Sequence, residues 1–65
     1  MWTIRLESYN GVTADGQTFR TKEEAVCALF DAFTGFPKPL WQAVGNDKIV
    51  NHTCSGDNVY SVVQI

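Results

Sequence analysis

His52 and Cys54 stand one residue apart, so on a strand both side chains would point the same way. With Cys27 as a third soft ligand and Asp57 as a fourth, they would make a zinc-like set. The spacing matches none of the usual paired-ligand frameworks, and Cys27 falls toward the back of a predicted helix. An unliganded histidine and two inert thiols are the simpler account. Recast as a nucleophile and its base, Cys and His would need a stabilised thiolate and a third group to orient the imidazole. Nothing in the chain supplies these, and there is no glycine-rich phosphate loop, HExxH or GxSxG. Glu23 and Glu24 are adjacent, so on a helix they point about 100° apart and cannot share a substrate as paired carboxylates. The expectation is a protein that is not an enzyme, with no catalytic residue, metal ligand or cofactor.

The element that must position everything else is the stretch Thr21 to Phe36, which reads as one amphipathic helix with both ends marked. Thr21 followed by Glu24 is a capping-box pattern, in which hydroxyl and carboxylate satisfy each other's backbone amides. Glu23 and Glu24 sit where the helix dipole favours anions. Val26, Leu29, Phe30 and Phe33 form a stripe of 3.6-residue period, flanked by Ala25 and Ala32. Glu24, Cys27, Ala28 and Asp31 lie on the far side. Gly35 fits a left-handed residue after the helix end, Pro37 forbids continuation, and Phe36 is placed to fold back on Phe30.

A helix this short is marginal in water without a sheet to cover its stripe. Met1 to Tyr9 alternates, with Trp2, Ile4 and Leu6 on one face. Asn10-Gly11 and Asp15-Gly16 are turn signals, and Gly11–Ala14 and Gln17–Arg20 between and after them are very short. Leu40–Val44 and Lys48–Thr53 read as a hairpin around Gly45-Asn46-Asp47, and Cys54–Asn58 as a further polar turn. Val59–Ile65 closes the chain, with Val59, Val63 and Ile65 on one face and Tyr60, Val62 and Gln64 on the other. The fold class is α+β: one amphipathic helix packed on a small antiparallel sheet of about four strands, in two layers, residues 1–65 forming a single domain.

Sixty-five residues are near the lower limit for unaided folding, since such a chain buries only about 60% of its unfolded surface. That accommodates one core but no deep catalytic cavity. The formal net charge is −2, and Arg5, Arg20, Lys22, Lys38 and Lys48 form no run or stripe. Direct nucleic-acid binding is therefore not expected. No stretch approaches the 18 apolar residues of a membrane span, and the opening MWTIRLES is not a signal peptide. These features place the protein in the cytoplasm where it is made, where Cys27 and Cys54 stay reduced.

What remains to carry function is a contact surface. Two Trp, two Tyr and four Phe are many for so small a core. Trp41 follows the Pro37–Pro39 loop, and Tyr60 has the opposite parity to the apolar face expected of its strand. Both are candidate anchors of a protein contact, or else cover for the open sheet face. Glu24 and Asp31 on the helix back, with Asp47 and Asp57 on predicted turns, complete the candidate surface; Glu23 and Asp15 add to the acid supply.

The compact TKEEAVCALFDAFTG helix, its short flanking strands and the lack of a catalytic signature resemble the small anti-CRISPR proteins of phages and mobile elements. The resemblance spans the whole chain and transfers no functional residue. It implies a stoichiometric inhibitor whose partner is a host protein, a subunit of a type I CRISPR effector (Cascade), blocked in its binding of target DNA. The competing expectation is a small oligomeric phage accessory or structural protein. The protein itself is expected as a monomer or a small homo-oligomer.

Overall fold

Alternation of Trp2, Ile4 and Leu6 with Thr3, Arg5 and Glu7 produces the first strand, β1, Trp2–Ser8. The computed structural model describes residues 1–65, the side chain of Asp15 excepted. β1 turns through Tyr9-Asn10 into β2, Gly11–Phe19, with Ser8 opposite Gly11 and Trp2 opposite Phe19. Gly11 has φ 120°, a conformation that L side chains adopt only with strain. The Asn10-Gly11 signal is thus a hairpin, as expected.

Asp15-Gly16, the second expected turn, is instead a β-bulge inside β2. Thr3 pairs with Thr18 and Arg5 with Ala14, so two steps along β1 are matched by four along β2. Gly16 takes φ 83°. Turns and bulges both need such a glycine, so the dipeptide alone does not separate them. The bulge joins Gly11–Ala14 and Gln17–Phe19 into one strand. It also leaves the Gln17 carbonyl within reach of the Thr3 hydroxyl, which donates to it at 2.7 Å.

The helix, α1, runs Lys22–Phe33. Thr21 caps it: its hydroxyl accepts from the Glu24 amide at 3.2 Å and stands 3.4 Å from the Glu24 carboxylate. Ala25, Leu29 and Phe33 form the buried line, and Val26 and Phe30 are half-buried on its shoulder. The stripe is therefore rotated by about a residue from the expected one, and Ala32 is exposed. The left-handed cap expected at Gly35 does not form, because Gly35 has no positive φ. The last turn tightens instead, with bonds from Thr34 N to Asp31 O (3.3 Å) and Phe36 N to Phe33 O (3.0 Å). The Thr34 hydroxyl takes the Phe30 carbonyl at 3.0 Å. These bonds satisfy the terminal carbonyls that a glycine cap would otherwise serve. Phe36 then packs edge-on against Phe33 rather than Phe30, centroids 5.4 Å apart.

After Pro37 a single 3₁₀ turn, Lys38–Leu40, leads into β3, Trp41–Ala43. β4 (Lys48–Thr53) and β5 (Gly56–Gln64) follow through short connections. All pairings are antiparallel in a five-stranded sheet of order β2-β1-β5-β4-β3, one strand more than expected. The first and last strands are neighbours inside the sheet, and α1 connects β2 at one edge to β3 at the other. It packs on β5, β1 and β2.

Under the helix lie Ile49 and Val62, buried, with Trp2, Ile4, Phe19 and Tyr60 packed around them. Tyr60 and Val62 thus face the helix, while Val59 and Val63 turn away from it. β5 is an interior strand with apolar residues on both faces, so its alternation does not say which face is the core. Among the described residues, no helix is long and apolar enough to cross a membrane.

Candidate functional site

The sheet separates the residues that composition alone would group. Glu24 and Asp31 are exposed on the outer surface of α1, with Glu23 beside them. Seven residues apart, they stand two turns, or about 10 Å, from each other on one side of the helix. Among the described residues, none of these three carboxylates has an ion-pair partner; the pairs that form are Arg5–Glu7, Lys22–Asp47 and His52–Asp57. Glu23 and Glu24 are accounted for by the cap and the helix dipole. Asp31 is not. It lies in the last turn, which holds no basic residue, where the negative end of the dipole disfavours a carboxylate.

Asp47 and Asp57 do not join that surface. Asp47 is half-buried and binds Lys22 at 3.2 Å, fastening the β3–β4 connection to the helix start. The same ammonium sits 5.9 Å from the centre of the Trp2 ring. Asp57 is not in a turn: the β4–β5 connection is Cys54-Ser55 alone, and Asp57 pairs with His52 across the two strands. Its carboxylate is 3.0 Å from His52 Nδ1. Alternation from Ile49 places His52 on the helix-free face, opposite the helix acids. The side chain of Asp15 lies outside the described residues.

Trp41 and Tyr60 are not exposed anchors. Trp41 is buried, its indole N–H donates to the Phe36 carbonyl at 3.0 Å, and its ring lies 5.7 Å from that of Phe33. Lys38 covers it, Nζ 4.0 Å from the ring centre, a cation–π contact that shields the face left by the core. Tyr60 is half-buried and meets Phe33 edge-on at 5.1 Å. One Phe ring thus gathers three aromatic neighbours. That arrangement uses up the aromatic surplus the sequence suggested for the surface. Large apolar side chains still exposed include Tyr9 (75%), Ile65 (67%) and Val12 (63%), and Phe36 keeps half its surface in solvent.

Both thiols are free and exposed, Cys27 on α1 and Cys54 in the β4–β5 turn. Among the described residues, no three His, Cys, Asp or Glu side chains converge as metal ligands would. An open apolar groove of about 380 Å³ runs between Leu29 and Phe33 on the helix and Ile4, Leu6 and Tyr60 on the sheet. Among the described residues, Thr13 and Tyr60 bring its only side-chain hydroxyls, and no carboxylate, thiol or imidazole lines it.

One arrangement escaped sequence reasoning. On the helix-free face Lys48, Ser61 and Arg5 lie in one row across β4, β5 and β1, each directly opposite the next. Ser61 is only 5% exposed, and the Ser61 hydroxyl and the Arg5 Nε are both buried without a hydrogen-bond partner among the described residues. Only a polar residue between Val59 and Val63 hinted at it, because the row exists only once the strand order is known.

No protein-family model, curated protein or solved structure matches this chain. Function must therefore be argued from these surfaces.

Proposed function

We propose that the protein is a non-enzymatic protein-binding module: a stoichiometric inhibitor of phage or mobile-element origin that binds a type I CRISPR effector subunit and keeps target DNA from it. The observation that carries this reading is Asp31. An exposed carboxylate set against the helix dipole, without a partner, costs stability and returns none to the fold. With Glu24 and Glu23 it makes the outer face of α1 a rigid acidic strip suited to a basic, DNA-binding groove. Charge complementarity of this kind speeds association and weakens as salt rises. Cys27 and His52 stand on opposite layers and make no nucleophile–base pair, and among the described residues no three His, Cys, Asp or Glu side chains converge, which supports a binding rather than a catalytic role. Cys27 is on the helix layer, while His52 is engaged with Asp57 on the far side of the sheet.

The test is to mix the protein with type I effector complexes of several subtypes and follow target-DNA binding. Loss of DNA binding at a one-to-one ratio supports the reading; unaltered DNA binding across the subtypes removes it. A second reading, an oligomeric accessory protein, is favoured by the outer edge of β2, where no strand pairs and Val12 stands exposed. Sedimentation distinguishes the two, since edge pairing would give a dimer at micromolar concentration.

A further inference from the structure

Ser61 poses a problem that the proposed function does not touch. Its side chain lies on the sheet face that no helix covers, yet it is 5% exposed and its hydroxyl has no partner. Buried hydroxyls are nearly always hydrogen-bonded. Thr3, equally buried on the same face, shows the ordinary solution by donating to the Gln17 carbonyl. The residue directly opposite Ser61 on β1 is Arg5, whose Nε is likewise buried and unpartnered. Glu7 takes the Nη2 end of that guanidinium at 2.7 Å, so the Nε–H is a donor left over. On the other flank, directly opposite Ser61 on β4, is Lys48, exposed and in no ion pair among the described residues.

We infer that the row Lys48–Ser61–Arg5 is an oxyanion-binding site, taking a carboxylate or a phosphate. Directly opposed strand residues have Cβ atoms about 5 Å apart, so donors from the three side chains can meet over Ser61. The Arg5 Nε–H and the Ser61 O–H are both donors, and Lys48 adds three N–H groups and a charge. An acceptor with several lone pairs satisfies all of them at once; a cation or an apolar group satisfies none. The valines Val50, Val59 and Val63 frame the row on the same face, half-buried, and keep water from competing freely. Glu7 limits the site to one anionic group, because it already answers part of the Arg5 charge. The stems of Arg5 and Lys48 must part to admit the anion. This site is independent of the acidic helix face, which lies on the other side of the molecule.

The experiment is a titration of the full chain followed by NMR, with inorganic phosphate and acetate as separate probes against chloride at matched ionic strength. The Arg5 Nε–Hε signal and the amides of Ser61 and Lys48 should move together and saturate, with chloride producing no such change. Phosphate binding the tighter points to a phosphorylated ligand; acetate binding at least as well points to a carboxylate side chain of a protein partner. Ser61→Ala and, separately, Lys48→Gln should each weaken binding roughly tenfold, as expected for losing a hydrogen bond to a charged group. Lys38→Gln, on the Trp41 side, should leave it unchanged. Amide spectra confirm that each variant is folded, and Lys48 is exposed enough that its loss leaves the core intact. Linear, unsaturable shifts, or binding by Ser61→Ala and Lys48→Gln as tight as that of wild type, would overturn the assignment.

Discussion

The two faces of the sheet bury residues by different means. Beneath α1, Ile49 and Val62 are covered by a second layer, and Leu29 and Phe33 fill the space between. On the other face there is no second layer, yet Thr3 and Ser61 are as buried as the core. They are covered by their neighbours within the sheet, the side-chain stems of flanking strands. The covered face is apolar, and among the described residues it leaves no fully buried side-chain polar atom without a partner. The uncovered face keeps one buried hydroxyl and one buried guanidinium nitrogen without partners. Fold stability is concentrated on the first face, whereas the second carries a local cost that folding alone does not explain.

That contrast can be broken from the helix side with the largest effect. Leu29 is fully buried, and Leu29→Ala should cost about 3–5 kcal/mol, the greater part of the stability of a domain that has only about 5 kcal/mol in all. Urea unfolding that matches wild type would show that the covered face is not the stabilising one. On the uncovered face the sign should reverse. Ser61→Val removes an unsatisfied hydroxyl and adds a strand-favouring side chain, so the urea midpoint should rise by the equivalent of about 1–2 kcal/mol with unchanged slope. A lower midpoint would mean that the hydroxyl is satisfied in solution.

Smaller effects sharpen the picture at the helix ends. Thr21→Ala should cost about 1 kcal/mol in thermal melts through loss of the N-cap. Asp31→Lys should stabilise by about 0.3–1 kcal/mol at low salt, because it replaces an acid by a base where the dipole is negative. A melt no higher than wild type at low ionic strength would show that Asp31 is not held against the dipole, and would remove the main support for the acidic face as a functional one.

Local chemistry was readable from the residues and long-range pairing was not. The start of α1 was legible because a cap involves Thr21 and Glu24 only, three residues apart. Its end was not, because Thr34 closes the last turn with its own hydroxyl and relieves Gly35 of the task. Asp15-Gly16 misled because the same positive φ serves a turn and a bulge. The inward face of β5 misled because its valines lie on both sides of an interior strand. Composition suggests too little room in the core for Trp41 and Tyr60, but Phe33 makes that room by meeting both rings. Of the candidate contact residues, Glu24 and Asp31 share a surface; Asp47 and Asp57 are tied to Lys22 and His52 elsewhere.

The acidic face of α1 is the part of the proposed function most open to direct attack. Glu24→Gln with Asp31→Lys changes that face by three charge units. It keeps the cap, which tolerates Gln at this position, and leaves every buried side chain in place. The decisive measurement is the amount of protein needed to prevent a type I effector complex from binding its target DNA, wild type against this double variant, at low and at physiological salt. Wild type should titrate to one equivalent and weaken with salt, and the folded variant should be needed at no less than about tenfold higher concentration. Equal inhibition by both proteins, or none by either, would contradict the account.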